Sequence, residues 1–223
     1  MQLVIDTATI SCSVALIEGS RLIDSRHAIV GRGHAEHLLP MVEALLAGRR
    51  PDSILVDCGP GSFTGIRVGL AAAQGLGIGW GVAVTGFSST ALIAAATGAG
   101  AVALLGGHGE LFVQSFDHDP LAPADDLRSL RPADAALSIL ANRVAGSGAE
   151  ALVSARGHGE AVDALPDAAD SPFLPLSLRT LPPRPIYGRA PDARPMARAR
   201  PIRQAPKCGS RKAASATSIP SWK

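Results

Sequence analysis

Apolar positions along the first hundred residues follow two different periods. "LVID", "TATIS" and "CSVALIEG" put hydrophobic residues in short runs broken by a tight polar turn, which predicts two strands at the start of the chain. Arg21 to Ile29 supplies a third strand. The period then lengthens. "GHAEHLLPMVEALLAG" repeats Leu, Met and Val at helical spacing and stops at Gly48, predicting a helix that Pro40 kinks. "SILVDC" reads as a buried strand, and "CGPGSFTGIRVG" as a glycine-rich turn feeding a second helix from Thr64 to about Gly79. "GVAVTG" is again a strand, and "SSTALIAAATGAG" a helix that Ser88 or Ser89 caps.

A second round starts near Ala101. "AVALL", the hairpin "GGHGE" and "LFVQSF" give two strands around a turn, and "ANRVAGSGAEALVSA" reads as strand, glycine turn and helix. Antiparallel strands followed by βα units thus occur twice, which predicts an α/β protein of two duplicated subdomains, 1–100 and a smaller 101–193. From Ser171 onward prolines recur and hydrophobic periodicity disappears. Chain lying extended on the body is expected to about Asp192, and a basic, disordered tail over 194–223.

Composition sharpens this picture at three points. Hydrophobic residues are 47% of the chain but aromatics only 4%, so the core packs backbones closely instead of filling space with rings. The net charge of +2 hides an asymmetry: residues 179–223 carry 11 Lys or Arg against one acid, Asp192. Both a polyanion-binding arm and a tail with incidental charge fit that pattern. Val68 to Gly107 contains no charged residue and no histidine, yet its glycines divide it into strand- and helix-length pieces, favouring a buried α/β core over a membrane span. Three scattered cysteines suit buried thiols in a reducing compartment, and "MQLVIDTATI" lacks the features of a signal peptide. A cytoplasmic protein is expected.

A Gly-rich turn feeding a helix commonly cradles phosphate. The run Gly59, Pro60, Gly61, Ser62, Phe63, Thr64 and Gly65 meets neither phosphate signature. No Gly-Lys-Ser/Thr follows it, and Thr64 occupies the third glycine position of the dinucleotide fingerprint. The helix after it is apolar nearly all round, with only Arg67 and Gln74 strongly polar. Gly65, Gly69, Ala73 and Gly77 form a low ridge that either lets another helix approach closely or packs wholly within its own domain. The first helix carries a wide stripe of Leu38, Leu39, Met41, Val42, Leu45 and Leu46. Two adjacent helices with apolar surface to spare point to a docking partner, and the glycines to turn geometry and packing.

Candidate chemistry does not assemble. His34 and His37 share a helical face but lack further metal ligands, and no zinc motif is present. His108 and Glu110 read as hairpin-turn residues. Asp6 and Thr7 end the first strand, where a carboxylate either holds hydrated magnesium or forms the turn through backbone N–H groups. No Gly-x-Ser-x-Gly elbow is present. No catalytic residue and no intrinsic metal site are expected.

"VIDTATISCSVALIEG", "GHAEHLLPMVEALL", "GPGSFTGIRVGLAAAQGLG" and "IYGRAPDA", with "GGHGELFVQ" and "AGSGAE" between them, resemble the bacterial TsaB (YeaZ) family in that order, over about residues 2–195. The resemblance implies an actin-like (ASKHA, ribonuclease H-like) fold of mixed sheets flanked by helices. It also implies a non-catalytic subunit that binds and activates the glycoprotease-like protein TsaD and, with TsaE, supports threonylcarbamoyl transfer to the adenosine beside the anticodon of ANN-reading tRNAs. ATP and metal would belong to the partners, tRNA contact would come through the complex, and a homodimer would form when TsaD is absent. Carried over by position, Leu38, Leu39, Val42, Leu45, Ile66, Arg67, Gly69, Leu70 and Ala73 would line the partner-facing bundle. Leu105 departs from the family, which usually has aspartate there, and the tail after about Pro195 has no counterpart. The rival reading is an ATP-dependent sugar or acyl kinase of the same fold, which would need phosphate loops and magnesium-holding carboxylates in both halves.

Overall fold

The computed structural model describes residues 1–188, and the tail expected at 194–223 lies outside the described residues. Strands β1 (Gln2–Asp6), β2 (Ser11–Glu18) and β3 (Arg21–Ile29) form an antiparallel meander, after which helix α1 (His34–Leu46) crosses to β4 (Ser53–Asp57). Helix α2 (Phe63–Trp80) leads to β5 (Ala83–Phe87) and α3 (Ser89–Thr97). The first sheet has the order β3-β2-β1-β4-β5, with β1, β4 and β5 parallel and β2 antiparallel to both its neighbours. This is the actin-like, ribonuclease H-like arrangement.

A second sheet follows the junction at Ala99–Ala101. It comprises β6 (Ala101–Leu105), β7 (Leu111–His118), β8 (Leu121–Pro123), β9 (Arg128–Leu130), β10 (Arg143–Ala145) and β11 (Glu160–Val162). The order is β11-β10-β6-β7-β8, with β9 also pairing to β7. Helices α4 (Pro132–Ser138) and α5 (Ala149–Arg156) belong to this half. Residues 1–188 lie within one compact unit.

Period-two alternation sorts the core into layers. Leu3, Ile5, Val14, Leu16, Ile54 and Val56 face α1 and α2, whereas Val4, Ala15, Ile17 and Leu55 face α3 on the other side. Val102 and Leu104 of β6 join α3 in that middle layer, and Ala101 and Ala103 pack outward with α5. Both faces of the central strands β1, β2, β4 and β6 are therefore covered, which is why these strands read as continuous apolar runs.

Several expectations need correction. The first helix ends at Leu46, because Ala47 already adopts the left-handed conformation (φ 46°) ahead of Gly48. Ser88 occupies the N-cap position of α3 but makes no capping bond; its hydroxyl pairs with Thr90 Oγ1 at 2.8 Å. Helix α4 and strands β8, β9 and β11 are too short to leave a periodic signal. The segment expected as extended chain contains 3-10 turns at Ala168–Phe173 and Leu176–Leu178. Among the described residues, no helix is long and apolar enough to cross a membrane.

Candidate functional site

Three loops meet where β1, β4 and β5 end. The β1–β2 turn is pinned by Asp6, whose Oδ1 accepts from the Ala8 N–H at 2.9 Å, and by His34, whose Nε2 lies 2.9 and 3.1 Å from the carbonyls of Thr9 and Ser11. Carbonyls only accept, so this nitrogen carries the proton. The glycine loop closes against the same turn. The Ser62 N–H donates to the Ala8 carbonyl at 2.6 Å, the Gly59 N–H to Asp57 Oδ1 at 2.7 Å, and the Gly59 carbonyl accepts from Ser89. Ser62 caps α2 by accepting from the Gly65 N–H. Gly61 and Gly65 lie against the carbonyls of Ala8 and Thr7, so closely that neither position has room for a Cβ.

Asp6 and Asp57 form a buried carboxyl pair across this junction. Both are enclosed, at 0% and 1% exposure. Burial raises Asp6 well above the ordinary value of 3.8, and the charge of Asp57 pushes it further up; burial lifts Asp57 to about 6. Both carboxyls are thus held above the ordinary aspartate range, chiefly by burial, and the neutral form of the pair is favoured over two adjacent charges. Ser89 Oγ bonds to both Asp57 oxygens at 2.9 and 2.7 Å, and Ser13 Oγ lies 3.4 Å from Asp6 Oδ2. The Thr7 hydroxyl is committed to the Gly65 carbonyl at 2.7 Å. Such a pair suits a shared proton, and neither carboxyl presents an oxygen to solvent, whereas a magnesium ion usually keeps several of its waters. Among the described residues, no group of three or more His, Cys, Asp or Glu is arranged to hold a metal.

Helices α1 and α2 pack over this junction, and their burial redraws the expected docking face. Leu38, Val42, Leu45, Ile66, Leu70 and Ala73 are buried in the protein's own core at 5% exposure or less. Gly69 faces the Thr7 hydroxyl, and Gly77 faces Val84. The small-residue ridge thus seats α2 on its own sheet and is not open to a foreign helix. Of the nine positions expected at the interface, Leu39 and Arg67 are exposed. The large apolar side chains these helices present outward are Leu39 (51% exposed), Phe63 (54%) and Ile78 (84%).

The remaining candidates separate. His34 is buried while His37 points to solvent, so the two do not converge. Glu110 Oε2 accepts from Ser129 Oγ at 2.7 Å, within the second sheet. Leu105, 61% exposed, stands at the end of β6. Burial pushes the Cys12 and Cys58 thiols to about 11 and about 12, with the carboxylates of Asp6 and Asp57 adding to the rise; Cys208 lies outside the described residues. Two participants escaped the sequence reading. Asp57 ends β4 as Asp6 ends β1, and that parallel was the available signal. Tyr187, the only tyrosine of the chain, stacks on Phe63 and bonds to Arg67, a long-range contact with no local signature.

Comparison with known proteins places this geometry among relatives. Residues 27–119 match the family described as TsaD, tRNA N6-adenosine threonylcarbamoyltransferase. The chain is 37% identical over 92 residues to the tRNA threonylcarbamoyladenosine biosynthesis protein TsaB of Escherichia coli, covering 39% of each chain. It is 32% identical over 211 residues to an uncharacterized protein of Mycobacterium tuberculosis, covering 87% of this chain and 94% of the relative. Among solved structures it is similar to YeaZ from Pseudomonas aeruginosa, with a TM-score of 0.67 at 31% identity, covering 78% of this chain and 89% of that one.

Proposed function

The chain belongs to the TsaB (YeaZ) family, and from that premise we propose that it is a non-catalytic partner subunit in tRNA threonylcarbamoyladenosine biosynthesis, acting by binding and activating a TsaD-type protein. The observation that carries this reading is the outward apolar surface of α1 and α2, where Leu39, Phe63 and Ile78 are all more than half exposed. The match to the TsaD family spans both helices. A TsaD-type chain would then carry a counterpart of the same pair, and like surfaces meeting about a pseudo-twofold axis form a closed, self-complementary contact.

The enclosed carboxyl pair and the internally bonded glycine loop favour a binding role over phosphoryl transfer. In this reading ATP and metal belong to the partners, TsaE joins the larger assembly, tRNA is met through the complex, and the free chain self-associates through the same helices. The setting is the cytoplasm, where the tRNA is.

Co-purification of the chain with the TsaD of its own organism, read by size-exclusion with light scattering, tests the proposal. A one-to-one complex that restores modification of tRNA in a reconstituted system supports it. A folded chain that stays apart from TsaD, or measurable ATP turnover by the isolated chain, overturns it.

A further inference from the structure

The segment Leu181–Gly188 ties together four parts of the fold. Leu181 exchanges backbone hydrogen bonds with Gly86 at 2.7 and 3.0 Å, covering the edge of the first sheet at β5. Gln74 of α2 donates to the Pro183 carbonyl at 3.1 Å, and the Ile186 N–H donates to the Cys58 carbonyl at 2.7 Å. Tyr187 then reaches the first turns of α2. Its ring stacks on Phe63 with centroids 5.4 Å apart, and its hydroxyl accepts from Arg67 Nε and Nη2 at 3.1 and 3.0 Å. The Arg67 guanidinium lies 3.6 Å over the Phe63 ring. Gly188 lies against the Phe112 ring of β7, where a Cβ has no room.

We propose that this strap sets the docking end of α2, with Tyr187 as a positioning residue that holds Phe63 and Arg67 in one arrangement before the partner arrives. The inference rests on the reading of α1 and α2 as the partner-binding face. Arg and aromatic side chains concentrate binding energy at interfaces, and fixing them in advance removes an ordering cost that association would otherwise bear. Two observations separate this role from simple support of the fold. The backbone bonds of Leu181 and Ile186 hold the strap without Tyr187. The ring contacts themselves lie at the surface, with Phe63 54% and Tyr187 44% exposed, where they do little for folding. Left unconstrained, Arg67 and Phe63 would sample several rotamers on an otherwise smooth helix face.

The test titrates full-length wild type, Tyr187→Phe and Tyr187→Ala with the TsaD-type partner by calorimetry, and records the unfolding midpoint of each free chain. Tyr187→Phe keeps the ring and loses the acceptor for Arg67. It is expected to bind several-fold more weakly with a midpoint within about 2 °C of wild type, and Tyr187→Ala on the order of tenfold more weakly. Wild-type affinity in both variants overturns the positioning role, and so does a lowered midpoint with unchanged affinity per folded molecule. Failure of the wild type itself to bind overturns the partner reading and not the strap geometry.

Discussion

Gly69 of α2 lies directly against the Thr7 hydroxyl at the end of β1, and a Cβ at position 69 would overlap that oxygen. The same hydroxyl donates to the Gly65 carbonyl one turn earlier, so helix and strand are joined here with no slack. A bulky residue at 69 must push α2 off the sheet. Gly69→Leu is therefore expected to destabilise the free chain by about 1–3 kcal/mol, the usual cost of overpacking, as measured by urea unfolding. An unchanged midpoint would mean that α2 does not sit on β1 as closely as described. The substitution does not serve as a selective probe of partner binding, because its first effect is on the fold.

The docking face needs probes that leave the core alone. Leu39→Asp and Ile78→Glu replace exposed side chains, and each should change unfolding free energy by no more than about 0.5 kcal/mol while weakening TsaD binding on the order of tenfold. Leu45→Ala, fully buried, should instead cost about 2–5 kcal/mol of stability. The pairing of equilibrium unfolding with a binding titration distinguishes the two classes. Equal affinity for wild type, Leu39→Asp and Ile78→Glu would remove α1 and α2 from the interface.

His34 acts on the fold through one proton. Its Nε2–H serves the carbonyls of both Thr9 and Ser11 from a side chain only 6% exposed. His34→Ala leaves those acceptors without their donor and should cost about 1–3 kcal/mol. If added zinc or nickel stabilised the wild type but not this variant, the imidazole would be a metal ligand and not the clamp of the turn.

How much of this was legible in the sequence differs by length scale. The strands and long helices of the first hundred residues were readable because both faces of β1, β2 and β4 are buried and the flanking helices are long enough to repeat. Side-chain direction was not readable. Leu38 and Leu39 are adjacent in sequence and alike in chemistry, yet one is 1% and the other 51% exposed. A wide apolar stripe on α1 meant a helix wedged between β2, β3 and α2 as much as one offered to a partner. The ridge of small residues on α2 admits a foreign helix or the protein's own sheet, and only the position of Thr7 decides between them. The second half was harder still, because three-residue strands such as β8 and β9 are too short to establish a period. Asp57 and Tyr187 were hidden for a different reason: each acquires its role from residues 30 or more positions away, Asp57 from Ser89 and Tyr187 from Arg67.

The carboxyl pair makes stability depend on pH with a definite sign. Both aspartates are raised in the folded state, Asp57 to about 6 and Asp6 well above its ordinary 3.8. Between the unfolded and folded values the native protein holds more protons than the unfolded chain, so stability falls as pH rises. The favourable contribution is complete below about pH 4 and is lost as pH passes through about 6 and on through the titration of Asp6. Asp6→Asn replaces the carboxyl with a neutral amide whose oxygen still accepts from the Ala8 N–H, and it removes one of the two coupled titrations. Urea unfolding of wild type and Asp6→Asn from pH 4 to pH 8 should show the variant gaining on the wild type as pH rises. Ser89→Ala should carry the remaining transition to higher pH, because the lost hydroxyl stabilises the Asp57 carboxylate. A wild-type-to-variant difference independent of pH would mean that the two carboxyls do not share a proton across the ends of β1 and β4.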